Sequence, residues 1–140
     1  ICDRFFSLKN LEVVPVPWSE ASESHDLATS AIGLSWIPDD DWSRGKCGLK
    51  VLQYMAAGLP VVANAVGVHR EMIRHGQNGY LAQNTDEFLT FLVAVANDST
   101  ARRSLGQAAR QTVEENYSVE SGAQKWLRLF AEIGKAETPQ

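Results

Sequence analysis

The stretch Ser43–Val62, SRGKCGLKVLQYMAAGLPVV, places a basic, glycine-rich turn before an apolar helix pattern and closes on Gly-Leu-Pro ahead of a β-branched run. From Leu49 the apolar positions Leu49, Leu52, Met55 and Ala56 recur at helical spacing, and Gly58 stands where a glycine just past the last turn stops a helix. The spacing predicts a helix over 47–57. Pro60 then opens PVVANAVG, a short continuous apolar run of the kind buried on both faces of a parallel sheet.

Working outward, LEVVPVPW (11–18) is short and β-branched, which predicts a first strand at Val13–Val16. ESHDLATS reads as a short helix, AIGLSWIP as a second strand near Ile32–Trp36, and DDDWSRG as an exposed loop. On the other side, Val68–His75 predicts one or two helical turns, Gln77–Gly79 a turn, and YLA a brief strand. Helices over 86–96, 100–116 and 119–134 complete the chain, with a polar tail at 135–140. Strands alternating with helices predict an α/β fold: a Rossmann-like, doubly wound parallel sheet flanked by helices, with a C-terminal helical segment.

Composition narrows the function. A chain of 140 residues, 44% apolar and 21% charged, is enough for one core. Thirteen basic against seventeen acidic residues, a net charge of −4, argues against a partner bound through nucleic-acid phosphates. The two cysteines, Cys2 and Cys47, form neither a disulfide framework nor a zinc-ligand spacing; both are expected as free thiols in a reducing compartment, hence a cytoplasmic location. No apolar run approaches a membrane span. The chain opens on ICDRFF, without an initiator Met and as if part-way into a strand, and reads as a piece of something longer.

In an open α/β sheet ligands bind beyond the carboxyl ends of the strands, which directs attention to the loop after Ile37 and the helix after Gly48. A helix entered through GKCG offers unpaired N–H groups and a positive dipole end, and Gly45 and Gly48 allow close approach to the backbone. Arg44, Lys46 and Lys50 put three positive charges within seven residues of an acidic chain. Together they predict an anion site, best suited to a diphosphate. The spacing is neither a Walker P-loop nor a dinucleotide fingerprint, and glycine and lysine at a helix start also serve turn geometry and solubility.

At the residues GKCGLKVLQYMAAGLPVVANAVGVHREMIRHGQNGYLA the chain resembles the nucleotide-sugar-binding half of GT-B-fold glycosyltransferases, specifically the retaining group 1 (family 4) transferases. The resemblance runs from about Leu11 to Tyr117. Its most specific parts are YMAAGLPVVANAVG, Glu71, HGQNGYL, and the later ARRSLGQAAR and NYS. It implies that residues 1–134 are the C-terminal donor-binding domain of such an enzyme, lacking its first strand and helix and the whole N-terminal acceptor domain.

The same resemblance implies transfer of a glycosyl unit from a nucleotide sugar, a UDP- or GDP-sugar, with retention and without a cofactor or an obligatory metal. The acceptor would be a sugar or a lipid-linked molecule, the latter with peripheral membrane contact. The family helix carries two acids in an E-x7-E pattern, and here both are replaced, the first by Gly45 and the second by Gln53. Gln53 keeps hydrogen-bonding capacity toward ribose hydroxyls, whereas Gly45 cannot stand in for a carboxylate. Lys46 and Lys50 are the candidates for stabilising the leaving diphosphate, with Arg44 beside them; Cys47, Gly48 and Leu49 would line the site, and Trp18 is placed to stack.

Other residues have plainer readings. His25, His69 and His75 show no metal-ligand spacing, His69 having the best functional case at the carboxyl edge of the sheet. Glu71 matches the family's turn and equally suits a helix start. Asp39, Asp40 and Asp41 read as a solvated loop, Trp36 as core, Trp42 as a second stacking candidate, and Trp126 with Leu127 and Phe130 as the apolar face of the last helix. Cys47 reads as small-residue packing, although Lys46 and the helix start would favour its thiolate. Two alternatives stand beside the transferase: a binding or regulatory α/β module that kept the fold and lost the chemistry, and a GT-B relative such as a sugar-nucleotide epimerase. A sheet missing its leading strand predicts self-association.

Overall fold

The computed structural model describes residues 11–136. Three strands, β1 (Gly33–Ser35), β2 (Val61–Asn64) and β3 (Gly79–Ala82), form a sheet in the order β1-β2-β3. Both pairings are parallel, with Val61 opposite Gly33 on one side and Gly79 on the other. Such pairing needs crossovers, and the chain supplies helices between the strands.

These helices are α1 (Glu20–Ala28), α2 (Asp41–Arg44), α3 (Leu49–Ala56), α4 (His69–Met72), α5 (Thr85–Asn97), α6 (Ser99–Asn116) and α7 (Val119–Ala136). Side chains cap several of them. Ser19 accepts from the Ser22 N–H at 3.1 Å, Asn84 from Glu87 at 2.9 Å, and Asp98 from Thr100 and Ala101, both at 2.9 Å.

Every residue of β2 is buried. Val61 and Ala63 pack with Val51 and Met55 of α3, Met72, Ile73 and Ala109 of α6, while Val62 packs on the opposite face with Val95 of α5 and Leu105. Helices on both faces explain why this strand is continuously apolar instead of alternating.

Several local expectations are corrected. Val13–Val16 is not a strand: residues 11–19 have no regular structure, and Val14 and Val16 are exposed. Pro15 and Pro17 each remove an N–H from any ladder, which disfavours the pairing that the β-branched residues suggested. DDDWSRG is not wholly loop. Asp40 accepts from the Ser43 N–H at 2.7 Å and starts the single turn of α2.

Helix α3 starts at Leu49, two residues later than expected, because Gly48 takes a left-handed φ of 67° as its N-cap. Gly58, with φ 74°, follows the C-cap as predicted. Trp36 is not core: it is half exposed and meets Phe88 edge-on, ring centroids 5.3 Å apart. Trp126, Leu127 and Phe130 do share α7, and all are exposed. Cys47 is exposed, so packing does not account for it. Helix α7 continues to Ala136, into the expected tail; the rest of that tail, Cys2 and the ICDRFF opening lie outside the described residues.

Candidate functional site

A cavity of about 400 Å³ opens at the carboxyl end of β1, between the following loop and the starts of α3 and α4. Its lining comprises Ser35, Ile37, the run Lys46 to Val51, Val68 and His69. Of the residues singled out from sequence, Lys46, Cys47, Gly48, Leu49 and Lys50 come together here. Ile37 stands at the loop to which the sequence directed attention, whereas Ser35, Val51 and Val68 were not foreseen; Ser35 ends β1 on the carboxyl edge, and that position was the available signal.

The start of α3 has no side-chain cap. Gly48 has no side chain to cap the first turn, and the first helical bond runs from the Leu52 N–H to its carbonyl at 3.1 Å. The preceding N–H groups are therefore outside the helix ladder and carry the positive end of its dipole. Glycine is required here twice over: by the left-handed backbone, and because a Cβ would lie 2.8 Å from Val68 Cγ1 and 3.0 Å from Met72 Sδ.

The cations are not equivalent. Lys46 Nζ lies 6.0 Å above the Trp42 ring. Lys50 Nζ is 3.8 Å from Glu23 Oε1 of α1, sharing its charge with a carboxylate. Arg44 does not line the cavity: its Nε donates to Asp39 Oδ1 at 2.8 Å, and a second nitrogen approaches Asp41 at 3.6 Å. That hydrogen bond holds the Asp39 carboxyl below its ordinary range and raises the Arg44 pKa. Asp40 is lowered by its hydrogen bonds from the Ser43 N–H and hydroxyl. The aspartates are solvated as expected, but each has a defined partner: Arg44 for Asp39 and Asp41, Ser43 for Asp40.

Gln53 also points elsewhere. Its Nε2 donates to Glu23 Oε1 at 3.1 Å, and it lines a separate hollow against α1. Gly45 is the C-cap of α2. Trp18 immediately precedes the Ser19 cap of α1, exposed, and does not line the cavity. Glu71 is exposed in α4 and, after burial, is the second cause that raises the Tyr117 pKa.

His69 is buried at the inner wall of the cavity. Nδ1 lies 3.0 Å from the Asn64 carbonyl oxygen, which can only accept, so Nδ1 carries a proton. In the neutral ring Nε2 is then an acceptor, 3.4 Å from Ser35 Oγ. Asn64 fixes the neighbouring loop, taking the Ile37 N–H at 3.1 Å and donating to the Ile37 carbonyl at 2.6 Å. The other histidines differ: His25 is exposed on α1, and His75 accepts from the Leu81 N–H at 3.2 Å with its ring against Tyr80 and Phe91. Among the described residues no group of three or more His, Cys, Asp or Glu is arranged to hold a metal, and no helix is long and apolar enough to cross a membrane.

The profile of the family described as glycosyl transferases group 1 matches residues 31–98, the span from β1 to the end of α5. The chain is 28% identical over 88 residues to N-acetyl-alpha-D-glucosaminyl L-malate synthase of Bacillus anthracis, covering 61% of this chain and 23% of that protein. Staphylococcus aureus TarM, solved with fondaparinux, alpha-GlcNAc-glycerol and UDP, superposes with a TM-score of 0.53 at 32% identity over 59% of this chain and 17% of its own. Sucrose-phosphate synthase of Thermosynechococcus elongatus gives a TM-score of 0.58 at 26% identity, covering 64% of this chain and 23% of that one. The chain thus spans about a fifth of the length of such relatives. With the parallel sheet, the two-faced helical packing and the match through the start of α3, the span from β1 to the end of α5 is similar to the group 1 glycosyl transferases.

Proposed function

We propose that this chain is the donor-binding domain of a glycosyltransferase, working with an N-terminal acceptor domain across a cleft. The observation that carries this reading is the convergence of the uncapped α3 start, Lys46 and Lys50 on one cavity at the carboxyl edge of the sheet. The donor is a UDP- or GDP-sugar, and the solved TarM complex with UDP supports the diphosphate part. As the glycosidic bond breaks, charge accumulates on the leaving diphosphate. Helix N–H groups and lysines favour that charged state over the ground state, and transfer proceeds with retention to a sugar or lipid-linked acceptor.

The test is calorimetric titration of UDP, GDP and ADP into the chain and into a Lys46→Ala, Lys50→Ala double variant. One nucleotide binds selectively, and the double variant loses about tenfold or more in affinity, each tenfold being about 1.4 kcal/mol. No binding by a folded sample overturns the reading. Lys46→Ala alone accounts for most of the loss, because Lys50 is partly neutralised by Glu23.

A second reading, an α/β module without catalytic activity, is favoured by Gln53 and Gly45. Gln53 is engaged with Glu23 outside the cavity, and Gly45 offers no side chain. Turnover assays on a protein that contains both domains separate the two readings. The isolated chain is also proposed to self-associate through the outer edge of β1, on which no other described strand pairs.

A further inference from the structure

The two margins of the sheet are finished differently. In a parallel ladder the backbone of every second residue faces away from the neighbouring strand. On β1, the Gly33 N–H donates inward to the Pro60 carbonyl at 2.9 Å, so Leu34 turns its N–H and C=O outward, and no other described strand pairs with them. On β3, the Ala82 carbonyl accepts inward from the Ala65 N–H at 2.9 Å, so Gly79 and Leu81 face outward. Here the chain covers its own edge. The Gly79 carbonyl takes the Gly76 N–H at 2.8 Å, and His75 Nδ1 stands 3.2 Å from the Leu81 nitrogen and 3.1 Å from the Leu81 carbonyl oxygen. One ring nitrogen serves one of the two at a time, accepting the N–H or donating to the carbonyl, and in either state the imidazole occupies the place of a further strand.

The ring is held there from several sides. Tyr80 and Phe91 meet it at steep angles, ring centroids 5.3 and 5.0 Å away. The turn that carries it is pinned from inside by the buried Asn78, which takes the Arg74 N–H at 2.7 Å and donates to the Met72 carbonyl at 3.1 Å and to Thr112 Oγ1 at 3.0 Å. Resting on the β1-edge association proposed above, we infer that His75 is an edge plug: it closes β3 to a second copy, so that copies pair only β1 to β1 about a two-fold axis and assembly stops at the dimer. Symmetry supplies the reason. One open edge gives an isologous contact that uses itself up, whereas two open edges give chains that nothing closes.

The experiment is sedimentation at rising concentration on the wild type, on His75→Ala and on His75→Ala combined with Leu34→Pro, at neutral pH, where the acidic chain keeps its net charge. The wild type plateaus at the dimer, and His75→Ala continues to larger species. The added proline, which removes the outward donor of β1, returns the assembly to a dimer at most. Larger species in the wild type, a dimer limit in His75→Ala, or growth that survives the proline overturns the plug alone. A wild type that stays monomeric overturns the β1 pairing and the plug with it. Should His75→Ala fail to fold, amide hydrogen exchange of the wild type decides: as concentration rises the Leu34 amide slows while the Leu81 amide keeps its rate, and slowing at Leu81 overturns the proposal.

Discussion

At the scale of single residues, Gly48 concentrates the most constraint. Its φ of 67° strains any side chain, and the 2.8 Å approach of a hypothetical Cβ to Val68 Cγ1 requires the Val68 and Met72 side chains to shift. Gly48→Ala therefore costs about 1–3 kcal/mol, read as a lower denaturant midpoint at unchanged slope. Nucleotide affinity falls with it, because the same residue positions the first-turn N–H groups. A variant of wild-type stability would mean that the α3 cap relaxes freely. Gly45 is different, with φ −80° and a Cβ that would meet the Asp41 and Trp42 carbonyl oxygens at ordinary van der Waals distances of 3.6 and 3.7 Å, so its role in shaping the loop does not depend on being glycine.

At the scale of elements, the short helix α2 shows how one carboxylate organises a loop. Asp40 caps it, and hydrogen bonds from Ser43 lower the Asp40 pKa; Asp39 is lowered in the same direction by Arg44. A carboxyl whose pKa is lower folded than unfolded adds stability that is complete above the unfolded value and vanishes as pH falls through the lowered one. Stability thus declines below about pH 4, the ordinary carboxylate value. Asp40→Asn retains a capping side chain but not the titration, so urea midpoints measured down the acid limb fall less steeply than in the wild type; identical slopes would remove Asp40 from the account. Sequence pattern had located most elements: Gly58 marked the end of α3, and the unbroken VVAN marked a strand covered on both faces. Pattern could not show that Pro15 and Pro17 would leave VVPV unpaired, or that Asp40 would turn a charged loop into helix. In the site, Lys46 to Lys50 were legible because they are adjacent in sequence. The approach of Ser35, Val68 and His69 depends on strand register and on the Asn64 carbonyl, which only the fold brings together.

At the scale of the whole molecule, apolar residues divide into a core that holds the sheet and surfaces with no cover among the described residues. Met55, fully buried between α3, β2 and α6, belongs to the first kind; Phe130, 61% exposed on α7, to the second. Met55→Ala removes packed volume and costs about 2–5 kcal/mol, whereas Phe130→Ala changes monomer stability by no more than about 0.5 kcal/mol. The outer edge of β1 adds unpaired backbone groups, with Leu34 and Trp36 half exposed beside them. Edge pairing between copies would satisfy those groups without entering the core, so sedimentation at rising concentration shows species heavier than the monomer, and a proline at Leu34 reduces them by removing a ladder donor. A monomer at every concentration would place the free edge outside self-association. Equal stability losses in Met55→Ala and Phe130→Ala would mean that α7 packs on the core in solution, contrary to its bare face.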